Sequence, residues 1–321
     1  MLAIVGPTAS GKSALAVALA ERFGGEVLAC DSTQVYRGFD VGTAKPSPSE
    51  RRGVPHHMMD LADPSETFTA GEYRRRALPI LEDLRRRERL PILTVGTGLY
   101  LRALLEGLAD APERSESLRA RLARSARRRG ESHLHNVLRR LDPLAAARIS
   151  AKDRQKLVRA IEVCILAGKP ITDVHRAGRQ PLEGYSVVKI GLTPPRAALY
   201  QRIAARTEEM LRGGWLDEVS GLLARGEPPS AKPFDFIGYR YLRDHLQSGQ
   251  PLDTAAQDPA QAPARATVQN IAQATCRYAK RQLTWFRKEP GVAWFIGFGD
   301  DPAILDAVVA HLAPRLTVSE P

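Results

Sequence analysis

Five short apolar runs punctuate the chain: LAIV (2–5), EVLAC (26–30), PILTV (91–95), SVVKIGL (186–192) and VAWFIG (292–297). Runs of this length, apolar throughout rather than alternating, suit strands covered on both faces. The first three are each followed by a helical pattern, such as ALAVALAERF after the first. That alternation predicts an α/β domain with a parallel sheet, whose ligands bind beyond the carboxyl ends of the strands. Between the third and fourth runs the chain keeps a helical periodicity with no convincing strand, and a connection of that length reads as an inserted helical lobe. After the fourth run two further helices are predicted, PPRAALYQRIAARTEEMLRGG and WLDEVSGLLARG, with natural stops at Gly213, Gly214 and Gly226. Residues 249–267 are rich in Ala, Pro and Gln and read as a loop or partly disordered insertion. The expected organisation is a discontinuous core, 1–110 with 182–321, and a lobe at 111–181.

Charge sharpens that division. The 321 residues hold 47 Lys and Arg against 36 Asp and Glu, a net charge of +11. Residues 111–181 alone hold 17 Lys and Arg against 7 Asp and Glu, so nearly the whole excess lies in the lobe. Clusters such as RARLARSARRRG (119–130) on helical sequence suit a polyanionic partner such as nucleic acid. No apolar run approaches the roughly 20 residues that span a bilayer. With the first strand starting at the N-terminus and leaving no room for a leader, a cytoplasmic protein is expected. Cys30, Cys164 and Cys276 lie far apart without Cys-x-x-Cys spacing, which argues against a disulfide framework or a zinc site. The oligomeric state is not encoded in any pattern here, and a monomer is the default.

Candidate chemistry begins at GPTASGKS, residues 6–13, which fits Gly-x-x-x-x-Gly-Lys-Ser between a strand and a helix. In that context Gly6, Pro7, Thr8, Ala9, Ser10 and Gly11 form a loop whose amides cradle phosphate. Lys12 adds a positive charge, and Ser13 can ligate Mg²⁺. The loop reads phosphate oxygens and no base, so ATP, GTP or an organic diphosphate would each satisfy it. Asp31 falls just past the second strand, where a carboxylate can hold Mg²⁺ through water or take a proton from an acceptor. Thr97, in VGTGLY after the third strand, faces the same edge, although Gly96 and Gly98 could be plain turn residues. PHHMMD (55–60) reads as a loop placed over the site rather than a metal site, because adjacent histidines do not share a face. His133 and His135 read as surface residues.

Seven blocks in order, GPTASGKS, DSTQVYRGFDVGTAKPS, PHHMMD, VGTGLYLRALLEGL, DRQKLVRAIEV, FIGYRY and YAKRQLTWFRK, closely resemble the bacterial tRNA dimethylallyltransferase family from residue 1 to about 297. The resemblance implies a P-loop nucleoside-triphosphatase-like α/β core carrying the helical basic lobe. It implies transfer of a dimethylallyl group from dimethylallyl diphosphate to N6 of adenosine 37 of tRNA, with Mg²⁺. Lys12 and the loop would neutralise the diphosphate, Asp31 would be the general base, and Thr97 would orient adenine or diphosphate. For tRNA contact the resemblance implies Asp31, Ser32, Thr33, Gln34, Thr97, Arg119, Gln155, Lys156, Leu157, Val158 and Arg159. It extends more weakly to Gly238, Tyr239, Arg240, Lys280, Arg281 and Gln282. Val95-Gly96-Thr97 departs from the family's usual Gly-Gly-Thr. A kinase on the same phosphate loop, or a prenyltransferase acting on free AMP or ADP, would share the early motifs but leave the basic lobe without a role.

Overall fold

The computed structural model describes residues 1–130, 132–176, 178–248 and 262–316. The chain forms two compact units, Met1–Leu104 with the chain from Gly184 onward, and Leu105–Glu183. In the first, strands β1 (Leu2–Val5), β2 (Gly25–Cys30), β3 (His56–His57), β4 (Leu90–Val95), β5 (Val188–Leu192) and β6 (Val292–Phe295) make one sheet in the order β3-β2-β4-β1-β5-β6. Every pairing is parallel, as the apolar runs predict. The register sets Val5 and Cys30 each opposite Val95. The ends of β1, β2 and β4 are therefore level, and the loops that follow them meet at one sheet edge.

Helix α1 (Lys12–Phe23) follows β1 directly and buries Leu15, Ala16, Val17, Leu19 and Ala20. These pack with Leu2 and Ile4 of β1, Ile92 of β4, Ile190 of β5, and Val308 and Leu312 from the C-terminal helix. Gly24 ends α1 in the left-handed conformation, its N–H bonded to the Ala20 carbonyl.

After β2 the chain departs from the simple alternation. Residues 31–47 form turns, and only the short helix α2 (Pro48–Arg51) precedes β3. The loop expected at PHHMMD is corrected here, because His56 and His57 are an edge strand paired with Val27 and Leu28. His57 Nε2 lies 2.7 Å from Glu26 Oε2, near the start of β2 and away from the phosphate loop. Two residues are too few to show a strand's periodicity, so sequence could not reveal the pairing. Helices α3 (Ala70–Arg86) and α4 (Gly98–Glu106) flank β4.

The second unit holds α5 (Glu116–Arg129), α6 (His133–Leu141), α7 (Pro143–Arg148), α8 (Arg154–Ala167) and α9 (Ile171–Arg176). Its core gathers Leu118, Leu122, Leu134, Leu138, Leu157, Ile161 and Val174. Back in the first unit come α10 (Arg196–Arg212), α11 (Trp215–Ala224), a 3-10 turn (Lys232–Asp235), α12 (Tyr239–Gln247), α13 (Ala262–Phe286) and α14 (Pro302–Leu316). Of the segment expected to be a loop, 249–261 lies outside the described residues, and 262–267 belong to α13. Among the described residues no helix is long and apolar enough to cross a membrane.

Candidate active site

The loop from Gly6 to Gly11 turns tightly between β1 and α1. Gly11 caps α1 with φ 85°, and Ala9 holds φ 62°, a left-handed conformation uncommon for a residue with a side chain. Lys12 Nζ donates to the carbonyls of Gly6 (3.1 Å) and Pro7 (2.8 Å), so the ammonium lies back across the loop. Burial lowers the Lys12 pKa to about 8, against the pull of Asp31 and with a further push from Arg206. An ammonium this short of counter-charge favours an arriving polyanion. Ser13, in the first turn of α1, is exposed.

Asp31 follows β2. Its Oδ1 accepts from the Thr33 backbone N–H (2.9 Å) and the Thr33 hydroxyl (2.8 Å). Its Oδ2 reaches over Gly96, where any side-chain carbon would collide with the carboxylate. Gly96 is thus more than a turn residue. Ser32 N–H donates to Thr97 Oγ1 (2.9 Å), and the Thr97 hydroxyl donates to Ser32 Oγ (3.1 Å). The structure therefore assigns Thr97 to hold the Asp31–Ser32 turn, with its hydroxyl engaged by protein. Gln34 is engaged too, donating to the carbonyls of Thr43 (3.2 Å) and Ala44 (3.1 Å).

Thr8, Ala9, Lys12, Asp31, Ser32 and Thr33 open into one cavity of about 370 Å³. Its other walls are mixed: Ile203, Met210, Trp215, Phe236, Ile237 and Ile271 form an apolar part, and Arg206, Asp235, Arg281 and Gln282 a polar one. Sequence reasoning missed two contributors, Arg206 and Trp215, and expected a third, Gln282, at tRNA. Arg206, on α10, lines the cavity without a hydrogen bond or ion pair among the described residues; burial and Arg202 push its pKa down, partly offset by Glu50 and Glu209. Trp215, 2% exposed, lies where side chains on Gly42 or Gly238 would strike its ring. Gln282, 6% exposed, joins the two loops through its amide. The α10 residue stands on helical sequence with no motif, and the other two act through contacts between distant segments, so no local signal marked these placements.

The residues expected at RNA divide sharply. Gln155, Lys156, Arg240, Lys280 and Arg281 are exposed. Leu157 and Tyr239 are not: Leu157 is core in the lobe, and Tyr239 packs on Phe39 and Trp215 with its hydroxyl donating to Glu218 (2.5 Å). Gly238 is buried, and Val158 is half-buried against the lobe core. Arg119 grips Glu162 with two hydrogen bonds of 2.8 Å, and Arg159 adds a third of 2.8 Å. Burial works against the Glu162 charge, yet these arginines and the Ser115 N–H hold its pKa down at about 2. Both arginines are thus braced by a buried carboxylate. Among the described residues no three metal-ligating side chains cluster, so Mg²⁺ at Ser13 would take most of its ligands from phosphate oxygens and water.

A parallel α/β sheet, a glycine-rich anion loop after its first strand and a carboxylate beyond its second define a phosphate-dependent transferase site of the P-loop type. The IPP transferase family pattern matches residues 34–289, and the chain belongs to that family. It is 49% identical to a tRNA dimethylallyltransferase of Koribacter versatilis over 95% of both chains, and 46% identical to one of Solibacter usitatus over 98% of this chain and 99% of that one. Among solved structures it resembles the tRNA isopentenylpyrophosphate transferase of Bacillus halodurans, with TM-score 0.69 and 36% identity over 98% of this chain and 96% of that one.

Proposed function

We propose that this chain transfers the dimethylallyl group of dimethylallyl diphosphate to tRNA, at N6 of the adenosine in position 37. One observation carries the reading: the phosphate loop and the Asp31 carboxylate open into a single cavity that also holds an apolar patch of Ile203, Met210, Trp215, Phe236, Ile237 and Ile271. A prenyl diphosphate needs that pairing of an anion cradle with a greasy wall, and a phosphoryl donor does not.

In the reaction the bond between prenyl C1 and the diphosphate oxygen breaks as C1 bonds to N6, and the N6 proton passes to Asp31. Lys12, Arg206 and the loop amides stabilise the charge gathering on the departing diphosphate. Mg²⁺, when bound beside Ser13, neutralises part of that charge. Among the described residues no donor reaches Oδ2 of Asp31, which leaves it to receive the proton. The adenine must leave its stack to enter, which an anticodon loop permits more readily than a duplex. The exposed arginines of α5 and the exposed Lys156 of α8 supply phosphate contacts for the anticodon stem. The protein acts as a monomer in the cytoplasm.

The test is to incubate the protein with Mg²⁺, dimethylallyl diphosphate and unmodified tRNA, with AMP and ATP in parallel, and to analyse digested products by mass spectrometry. Prenylated adenosine should arise from tRNA only. Prenylated AMP would make the enzyme a free-nucleotide prenyltransferase, and no transfer in any tube would overturn the reading.

A further inference from the structure

We infer that Gln282 is a positioning residue that fixes the distance between the diphosphate loop and the proton-accepting carboxylate. The inference deepens the proposed function and rests on it for its kinetic test. The resemblance placed Gln282 among residues meeting tRNA, but its side chain is 6% exposed and both ends of its amide are used inside the protein. Its Oε1 accepts from the Thr8 backbone N–H (2.8 Å), in the loop that would hold the leaving group. Its Nε2 donates to the Gly96 carbonyl (2.9 Å). Gly96 is the residue over which the Asp31 carboxylate lies, and its neighbour Thr97 holds Ser32. One carboxamide thus spans from the leaving-group side of the cavity to the acceptor side.

The chemistry of the two anchors selects the residue. Thr8 offers a hydrogen and Gly96 offers a lone pair, so the brace must accept at one end and donate at the other. Leu does neither, Met accepts only weakly and cannot donate, Lys and Arg cannot accept, and ionised Glu cannot donate. Of its neighbours on α13, Lys280 is exposed and Arg281, though exposed, lines the cavity, whereas this amide is buried. A displacement reaction is sensitive to such spacing, since a misplacement near 1 Å can lower the rate about 100-fold.

The test compares Gln282→Met, Gln282→Glu and Lys280→Ala in the full-length enzyme. Gln282→Met should lower kcat about 30- to 100-fold with KM for tRNA within about threefold. Lys280→Ala should do the reverse, raising KM for tRNA with little change in kcat. Gln282→Glu supplies the rescue. Once protonated, a carboxylic acid both accepts and donates, so the ratio of its kcat to wild type should climb as pH falls from about 8 to 5.5. A KM effect without a kcat effect, or a ratio that stays flat with pH, would overturn the brace. Calorimetry with inorganic diphosphate alone keeps the inference separable from the proposed function. If wild type prenylates nothing, Gln282→Met should still bind diphosphate about tenfold more weakly, and unchanged binding would overturn the inference.

Discussion

Asp31 in the crevice and Glu162 in the helical lobe are carboxylates in opposite states of commitment. Glu162 is 0% exposed, and both its oxygens are engaged, by Arg119, Arg159 and the Ser115 N–H. Asp31 has one oxygen anchored by Thr33 and the other turned over Gly96, without a donor among the described residues. The arginines divide in the same way: Arg119 is tied to Glu162, whereas Arg206 lines the cavity without an ion pair among the described residues. A charge whose hydrogen bonds are complete builds structure, and one left partly unsatisfied beside a cavity is available for chemistry.

The largest expected effect follows from the incomplete carboxylate. Asp31→Ala should lower turnover by about 10³-fold, within the range for losing a general base, while tRNA affinity stays within a few fold. Single-turnover kinetics with a parallel filter-binding assay would check this. A variant that fails to fold would instead put Asp31 on the structural side of the comparison.

Glu162→Ala should do the opposite, costing stability with no direct loss of chemistry. Removing one partner of a buried ion pair strands the others, at about 3 kcal/mol for a case whose arginines keep an edge in solvent. Thermal unfolding should show the loss, and diphosphate binding should be unchanged. In wild type the same interaction sets an acid limit. Because the folded-state pKa of Glu162 lies near 2, below its ordinary 4.5, its contribution is complete above about pH 4.5 and declines as pH falls towards 2.

A smaller effect separates the two arginines. Arg206→Gln should weaken binding of dimethylallyl diphosphate by about 10- to 100-fold, the worth of a charge-assisted hydrogen bond. Arg119→Gln should leave that affinity untouched and lower the thermal stability. Equal effects on diphosphate binding would erase the distinction.

How far the sequence foretold these placements depends on whether they are local. The phosphate loop and Asp31 were legible because a strand end, a glycine loop and a helix start are neighbours in the chain. The parallel sheet was legible from uniformly apolar runs, apart from the two residues of β3. Arg119, Arg159, Leu157 and Tyr239 show the limit. The family resemblance implies RNA contact for them, but whether a guanidinium meets a phosphate or a buried Glu162 depends on residues more than 40 positions away in the case of Arg119. Trp215 and the inward role of Gln282 were illegible for the same reason, since their partners Gly42, Thr8 and Gly96 come from distant segments.

Lys12 gives the finest test, because its charge is conditional. Burial holds its pKa at about 8 in the protein without ligand, and a bound diphosphate would raise it. Binding should therefore be insensitive to pH below about 8 and weaken above it, approaching tenfold per pH unit, about 1.4 kcal/mol. The terminal phosphate of the substrate has already ionised by then, with a pKa near 6, so the trend belongs to the protein. Stability should run the other way. With a folded-state value below its ordinary 10.5, Lys12 penalises the native state while charged, and the penalty eases as pH rises from about 8 towards 10.5. Calorimetric titration of dimethylallyl diphosphate from pH 7 to 9.5, at fixed Mg²⁺ and with Lys12→Met alongside, would check both the bend and its owner. The variant should bind weakly with no bend near 8, and a bend that survives the substitution would assign it to another group.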